Sequence, residues 1–168
     1  MAIKDTVLVL TGNSIEQMLK AGGSGFWKAN AQRMGKCRYL VATRNSRQGS
    51  ARNLQRHGTA FLIGKISHVF HPVADENGGP VDKDRYVIAL AEYGEINVPG
   101  VWTGGGSNPV HYAVLDDLPI DLQAVEWKSW PNSRAITGSS GLSIEEAKQG
   151  LAQRFGVDPE RIEILIKG

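Results

Sequence analysis

Thr59-Ala60-Phe61-Leu62-Ile63-Gly64-Lys65-Ile66-Ser67-His68-Val69 decides the fold. Its apolar residues alternate around Phe61, Ile63 and Ile66, the signature of a long β-strand. Pro72 to Asp84 comes next, with Asn77-Gly78-Gly79-Pro80 as an exposed turn, and Arg85 to Tyr93 is a second apolar strand. Together they predict an antiparallel pair. Working outward, Arg38-Tyr39-Leu40-Val41-Ala42-Thr43 reads as a strand, and Thr6-Val7-Leu8-Val9-Leu10 as a buried first strand. Glu95 to Val101, carrying Ile96 and Val98, reads as a further strand.

Between the first two strands, Ser14 is placed to cap a short helix, Ile15 to Lys20, with Ile15, Met18 and Leu19 on one face. Gly22-Gly23-Ser24-Gly25 ends it and leads into Phe26-Trp27, expected on a loop. A second helix is expected from about Lys28 to Met34, stopped by Gly35. The fold class is therefore α+β.

With 168 residues, 41% hydrophobic and 21% charged, the chain has the composition of an ordinary globular protein. It lacks the sustained heptads of a coiled coil, and its longest apolar runs fall far short of the ~20 residues a membrane helix needs. The start, Met1-Ala2-Ile3-Lys4-Asp5, carries no secretory leader pattern, and the single Cys37 cannot form an intramolecular disulfide. A cytoplasmic location without membrane contact is the expectation.

The net charge of +2 hides an asymmetry. From Gln17 to Ala74 there is no Asp or Glu, while ten basic residues occur, among them Lys28, Arg33, Arg44, Arg47, Arg52, Arg56 and Lys65. The remainder, from Asp75 on, is acidic, with 15 Asp and Glu against 8 Lys and Arg. A positive surface concentrates polyanions, and Lys and Arg neutralising phosphates supply most non-specific nucleic-acid affinity. The alternative is that the acidic half folds against the basic half and cancels it.

The end of the chain is a separate signal. Asn132 to Gly141 reads as a linker. Ser143 with Glu146 forms a capping-box pattern, and Ile144, Ala147, Leu151 and Phe155 share a helix face that Gly156 would terminate. Asp158-Pro159 turns the chain into an expected strand, Ile162 to Ile166. Residues 1–131 then form one domain, 132–141 a linker and 142–168 a helix–strand appendage.

The strand Val7 to Leu10, the helix start Ser14-Ile15-Glu16, Trp27 before a polar helix, the strand Tyr39-Leu40-Val41 and the glycine-centred run Phe61-Leu62-Ile63-Gly64-Lys65-Ile66 stand in one order. That order resembles the PUA-like superfamily, and within it the EVE domain. The resemblance covers about the first 130 residues and rests on element order and these few residues. The basic loop Asn45 to His57 departs from it, and the terminal unit lies outside it. It implies a small, bent, partly closed β-barrel with short helices over its mouth and a cleft that reads a nucleic-acid base.

Four tryptophans supply flat faces for such a cleft. Trp27 and Trp102 sit among glycines and polar residues, where an exposed ring could stack a base. Trp127, alternating with Val125, reads as core. Thr43-Arg44-Asn45-Ser46-Arg47 leaves a strand end with guanidinium forks and a carboxamide, groups suited to phosphate and base edges. The expected ligand-binding set is Trp27, Arg33, Arg44, Asn45, Trp102 and Asn108, with Arg47, Arg52 and Arg56 on phosphates. The partner is DNA, RNA or a base-like ligand.

No catalytic residue, metal ligand or cofactor is assigned. Gly22-Gly23-Ser24-Gly25 lacks the Lys-Ser/Thr of a phosphate-binding loop, and no Gly-x-Ser-x-Gly elbow occurs. His68-x-x-His71 would face opposite sides of a strand and reads as ordinary histidines. Two other functions stay open. One is a protein-interaction module acting through the C-terminal unit, regulating or inhibiting a nucleic-acid-processing complex. The other is a metal-dependent nuclease or nucleotide hydrolase drawing on Asp82, Asp84, Glu92 or Glu95.

Overall fold

The computed structural model describes residues 3–49, 54–75, 77–131 and 144–165. The chain divides into two compact units, residues 1–133 and 134–168. The expected linker and the capping Ser143 lie outside the described residues.

The first unit is built on a curled seven-stranded sheet, a half-barrel with a few short helices. Strands β1 (Thr6–Thr11), β2 (Ser24–Lys28), β3 (Tyr39–Arg44), β4 (Ala60–Phe70), β5 (Arg85–Val98) and β6 (Val110–Ala113) run in the spatial order β2-β5-β4-β3-β1-β6, and β7 (Lys128–Ser129) adds to β5. Strands β1 and β3 pair in parallel, Val7 opposite Leu40 and Val9 opposite Ala42. A parallel pair needs a crossover. Here it holds α1 (Ile15–Ala21), β2 and α2 (Ala31–Gly35).

Strands buried on both faces need apolar residues at every position. The β1 and β3 runs supply them. Val7, Val9, Leu40, Ala42, Phe61 and Leu62 enter one core with Met18 and Met34 from the helices. Leu8, Val41, Ala60 and Ile63 enter a second, with Val101, Leu115 and Val125. Cys37 is buried at the first core, and that burial pushes its thiol pKa up.

Helix α1 starts with a reciprocal capping box between Ser14 and Gln17 and ends on Gly22, in the left-handed conformation at φ 80°. Three local expectations are corrected. Trp27 lies on a strand: Ser24-Gly25-Phe26-Trp27-Lys28 pairs with β5, Trp27 opposite Tyr86, so a partner imposes extended structure on a glycine-containing segment. The second helix begins later, at Ala31, because the Asn30 side chain caps it by accepting from the Arg33 N–H. The two strands expected over residues 85–101 are one, the 14-residue β5.

Register shifts between Ala60/Leu62, Lys65/Ile66 and Ile66/His68 bend the β4–β5 pair. One cleft is lined both by β2, through Gly25, Phe26 and Trp27, and by Gly106 to Pro109, the segment that leads into β6.

In the second unit, α3 (Ile144–Phe155) ends at Gly156, φ 63°. The strand expected from Ile162 is absent over the described residues 162–165. Asp158 instead caps a 3-10 turn, Pro159–Arg161, by accepting from the Glu160 N–H, and no neighbouring strand pairs with residues 162–165. Among the described residues, no helix is long and apolar enough to cross a membrane.

Candidate nucleic-acid interface

A cleft of about 730 Å³ opens where the half-barrel fails to close. One side is made by the end of β1, the loop after β3 and the segment before β6, which are tied together. Leu10 N–H donates to the Pro109 carbonyl (2.9 Å) and Asn45 N–H to the Thr11 carbonyl (2.8 Å). Gly12 lies under Gln48 so closely that a Cβ there would stand 2.5 Å from the Gln48 carbonyl oxygen, so only glycine lets the two loops meet. The other side comes from β2, the start of β5 and the β4–β5 connection, contributing Trp27, Arg85, Asp75 and Asp82.

Of the six residues expected to bind ligand, the cleft collects Trp27, Asn45, Trp102 and Asn108. Trp102 is half-buried, its ring stacked on His111 with centroids 4.4 Å apart and planes 28° from parallel. His111 is held against Gly104, where a Cβ would stand 2.1 Å from imidazole Cε1. Trp27 is also half-buried, and its indole N–H donates to Ser24 Oγ (3.0 Å). Asn45 Oδ1 accepts from the Arg47 N–H (3.2 Å), and Asn108 Oδ1 accepts from the Val110 N–H (3.1 Å).

Arg33 and Arg44 lie elsewhere. Arg33 stacks its guanidinium over the Tyr112 ring at 3.9 Å, and burial raises the phenol pKa. Arg44 is only 4% exposed, its guanidinium 3.5 Å from the centre of the Phe61 ring. Its Nη1 donates to the Asn13 carbonyl (2.9 Å) and its Nε to Gln55 Oε1 (3.2 Å). Burial lowers its pKa, the direction expected for a desolvated cation. Arg44 therefore holds the loop that carries Asn13 instead of reaching out to a ligand. Replacing it by Met should cost about 1–3 kcal/mol in a urea titration, because the Asn13 carbonyl and Gln55 lose the Arg44 donor in a partly buried place. A loss below about 0.5 kcal/mol would sink this structural role.

The cleft is of mixed charge over its described residues. Its described lining holds Arg85 together with Asp75 and Asp82, and Arg85 Nε pairs with Asp82 at 3.3 Å. Part of the basic half is cancelled by the acidic half: Lys28 meets Asp84 at 3.0 Å and Lys65 meets Glu92 at 2.6 Å. Arg47 and Arg56 are exposed and make no ion pair among the described residues; Arg52 lies outside them. Arg47 directly follows the loop that carries Asn45. Arg56 precedes Gly58, whose carbonyl accepts from the Trp102 N–H (3.0 Å). Lys4, Lys36, Arg38 and Lys83 are likewise exposed without an ion pair among the described residues, so the free positive charge is spread over the surface of this unit.

Each carboxylate considered for an enzyme faces a cation: Asp82 with Arg85, Asp84 with Lys28, Glu92 with Lys65 and Glu95 with Lys128. Among the described residues, no three His, Cys, Asp or Glu side chains gather as a metal site. Trp127 is half-buried against the second core, with the Lys65 ammonium 4.5 Å above its ring. Trp130, not singled out in the sequence, is the more deeply buried of that pair and meets Tyr93 edge-on at 5.1 Å. Asp75, Asp82 and Arg85 were missed as cleft residues because they belong to the β4–β5 connection and the first position of β5, contributed by the acidic half.

No family model, curated protein or solved structure matches the chain.

Proposed function

We propose that the first unit is a base-binding module of the PUA-like type, taking a nucleic-acid base into the cleft between the ends of its half-barrel. The observation that carries this reading is the convergence of two indoles and two carboxamides, Trp27, Trp102, Asn45 and Asn108, from separate segments on one cleft of about 730 Å³. That volume falls in the range of small-ligand sites, and a flat aromatic solute gains from stacking on such rings. Arg47 and Arg56, exposed and unpaired among the described residues, would meet the phosphates on either side of the inserted base.

The test is fluorescence anisotropy of labelled single- and double-stranded oligonucleotides at several salt concentrations. Log affinity should fall linearly with log salt, and Arg47→Gln with Arg56→Gln should reduce the slope by about 1.5. An affinity indifferent to salt, or a slope unchanged in the double variant, counts against the reading.

A second reading, a protein-interaction module, rests on α3. Ile144, Leu151 and Phe155 lie on one helix face and are 54%, 37% and 67% exposed. An amphipathic helix with such an apolar face suits a hydrophobic groove on a partner.

A further inference from the structure

Strand β2 carries one residue more than the stretch of β5 that it faces. Ser24 stands opposite Ile88, Gly25 opposite Val87 and Trp27 opposite Tyr86, so Phe26 is passed over. Such a bulge turns the side chains that follow it to the other face of the strand. In a regular strand Ser24 and Trp27, three residues apart, would point to opposite faces. Here the indole N–H donates to Ser24 Oγ (3.0 Å), so the two share a face. Trp27 lines the cleft in this arrangement, and taking Phe26 into the ladder would turn its ring away.

The bulge leaves Phe26 without a ladder partner on β5, and an unmet carbonyl in a partly buried place costs free energy. Arg85 Nη1 meets that carbonyl at 2.9 Å. Arg85 stands opposite Lys28, one register step beyond Trp27, and its guanidinium reaches back across that step to the bulge. It is itself held in place. Its Nε meets Asp82 Oδ2 at 3.3 Å, its backbone N–H donates to the Asp82 carbonyl (3.0 Å) and its carbonyl accepts from His71 Nδ1–H (2.9 Å).

Resting on the base-binding reading, we infer that Arg85 is a positioning residue of the cleft: it holds the Phe26 bulge and, through the bulge, aims the Trp27 ring at the base. Although Arg85 lines the cleft, it acts through Trp27 and not as a phosphate contact.

The experiment follows a labelled single-stranded oligonucleotide by anisotropy on the full chain. Arg85→Met should weaken binding about five- to tenfold, a part of the stacking on Trp27, with the salt slope unchanged. In a Trp27→Ala background the same change should cost less than about twofold, because the ring it aims is gone. A side chain that touched the ligand by itself would cost the same in both backgrounds, and one that met a phosphate would lower the slope by about 1. A second readout needs no ligand. With the four tryptophans replaced by 5-fluorotryptophan, the Trp27 fluorine resonance, assigned from Trp27→Phe, should move in Arg85→Met, while that of Trp130, packed on Tyr93, stays. Should Arg85→Met fail to fold, Arg85→Lys, which keeps one cationic donor, carries the same test with a smaller shift. Equal losses in both backgrounds, a lowered slope or an unmoved Trp27 resonance overturns the inference and leaves base binding standing. If the unmodified chain binds no oligonucleotide, the base-binding reading itself fails, and this inference with it.

Discussion

Phe61→Ala should lower the stability of the first unit by about 3–5 kcal/mol, read as a fall in the urea midpoint at unchanged slope. Phe61 is 2% exposed, among the largest side chains fully enclosed by the sheet and helices. Its removal leaves a cavity that β4, held by β3 and β5 on either side, cannot collapse around. It also strips Arg44 of the ring beneath its guanidinium, so a desolvated cation loses one of its compensations. Whole domains are stable by only about 5–15 kcal/mol, so the variant should sit near its unfolding threshold. Val73→Ala, at a fully exposed side chain, should change nothing measurable and serves as the control. A Phe61 effect as small as that of Val73 would mean that the first core is not packed as described.

The second large effect concerns binding. Trp27→Ala and Trp102→Ala should each weaken binding by about 1–3 kcal/mol, roughly 5- to 150-fold, with the salt slope unchanged because neither ring touches a phosphate. That pattern is the reverse of the one expected for Arg47 and Arg56, so slope and intercept separate stacking from charge neutralisation. Trp102 should give the larger loss. It is backed by His111, which in turn rests on Gly104, so the ring is rigid before any ligand arrives. Gly104→Ala should reproduce part of the Trp102→Ala loss, since its Cβ would force the imidazole out of the stack. Unchanged affinity in both tryptophan variants would remove the cleft from consideration.

The strands β1, β3 and β4 were legible in the sequence because their apolar runs are long and β-branched, and local pattern is enough for such segments. Trp27 was misjudged for the complementary reason. Its strand exists because Tyr86, Val87 and Ile88 offer a pairing edge far away in sequence. Arg44 looked like a loop donor beside Asn45, whereas its environment is set by Phe61 and the Asn13 carbonyl, both distant along the chain. The charge asymmetry was legible, but its spatial meaning was not: sequence order does not reveal that Lys28 finds Asp84 and Lys65 finds Glu92. The C-terminal strand expected from Ile162 is absent over the described residues 162–165, since a β-branched run forms a strand only where another strand pairs with it.

The register shifts of the β4–β5 pair act at a distance. The two sides of the cleft belong to opposite ends of one sheet, so the gap between them is governed by how sharply that sheet curls. A change at Lys65, Ile66 or His68, none of which lines the cleft, therefore acts as a tuning screw on the aperture. Natural variation at the bend would alter which ligands are admitted while every residue that touches them stays the same.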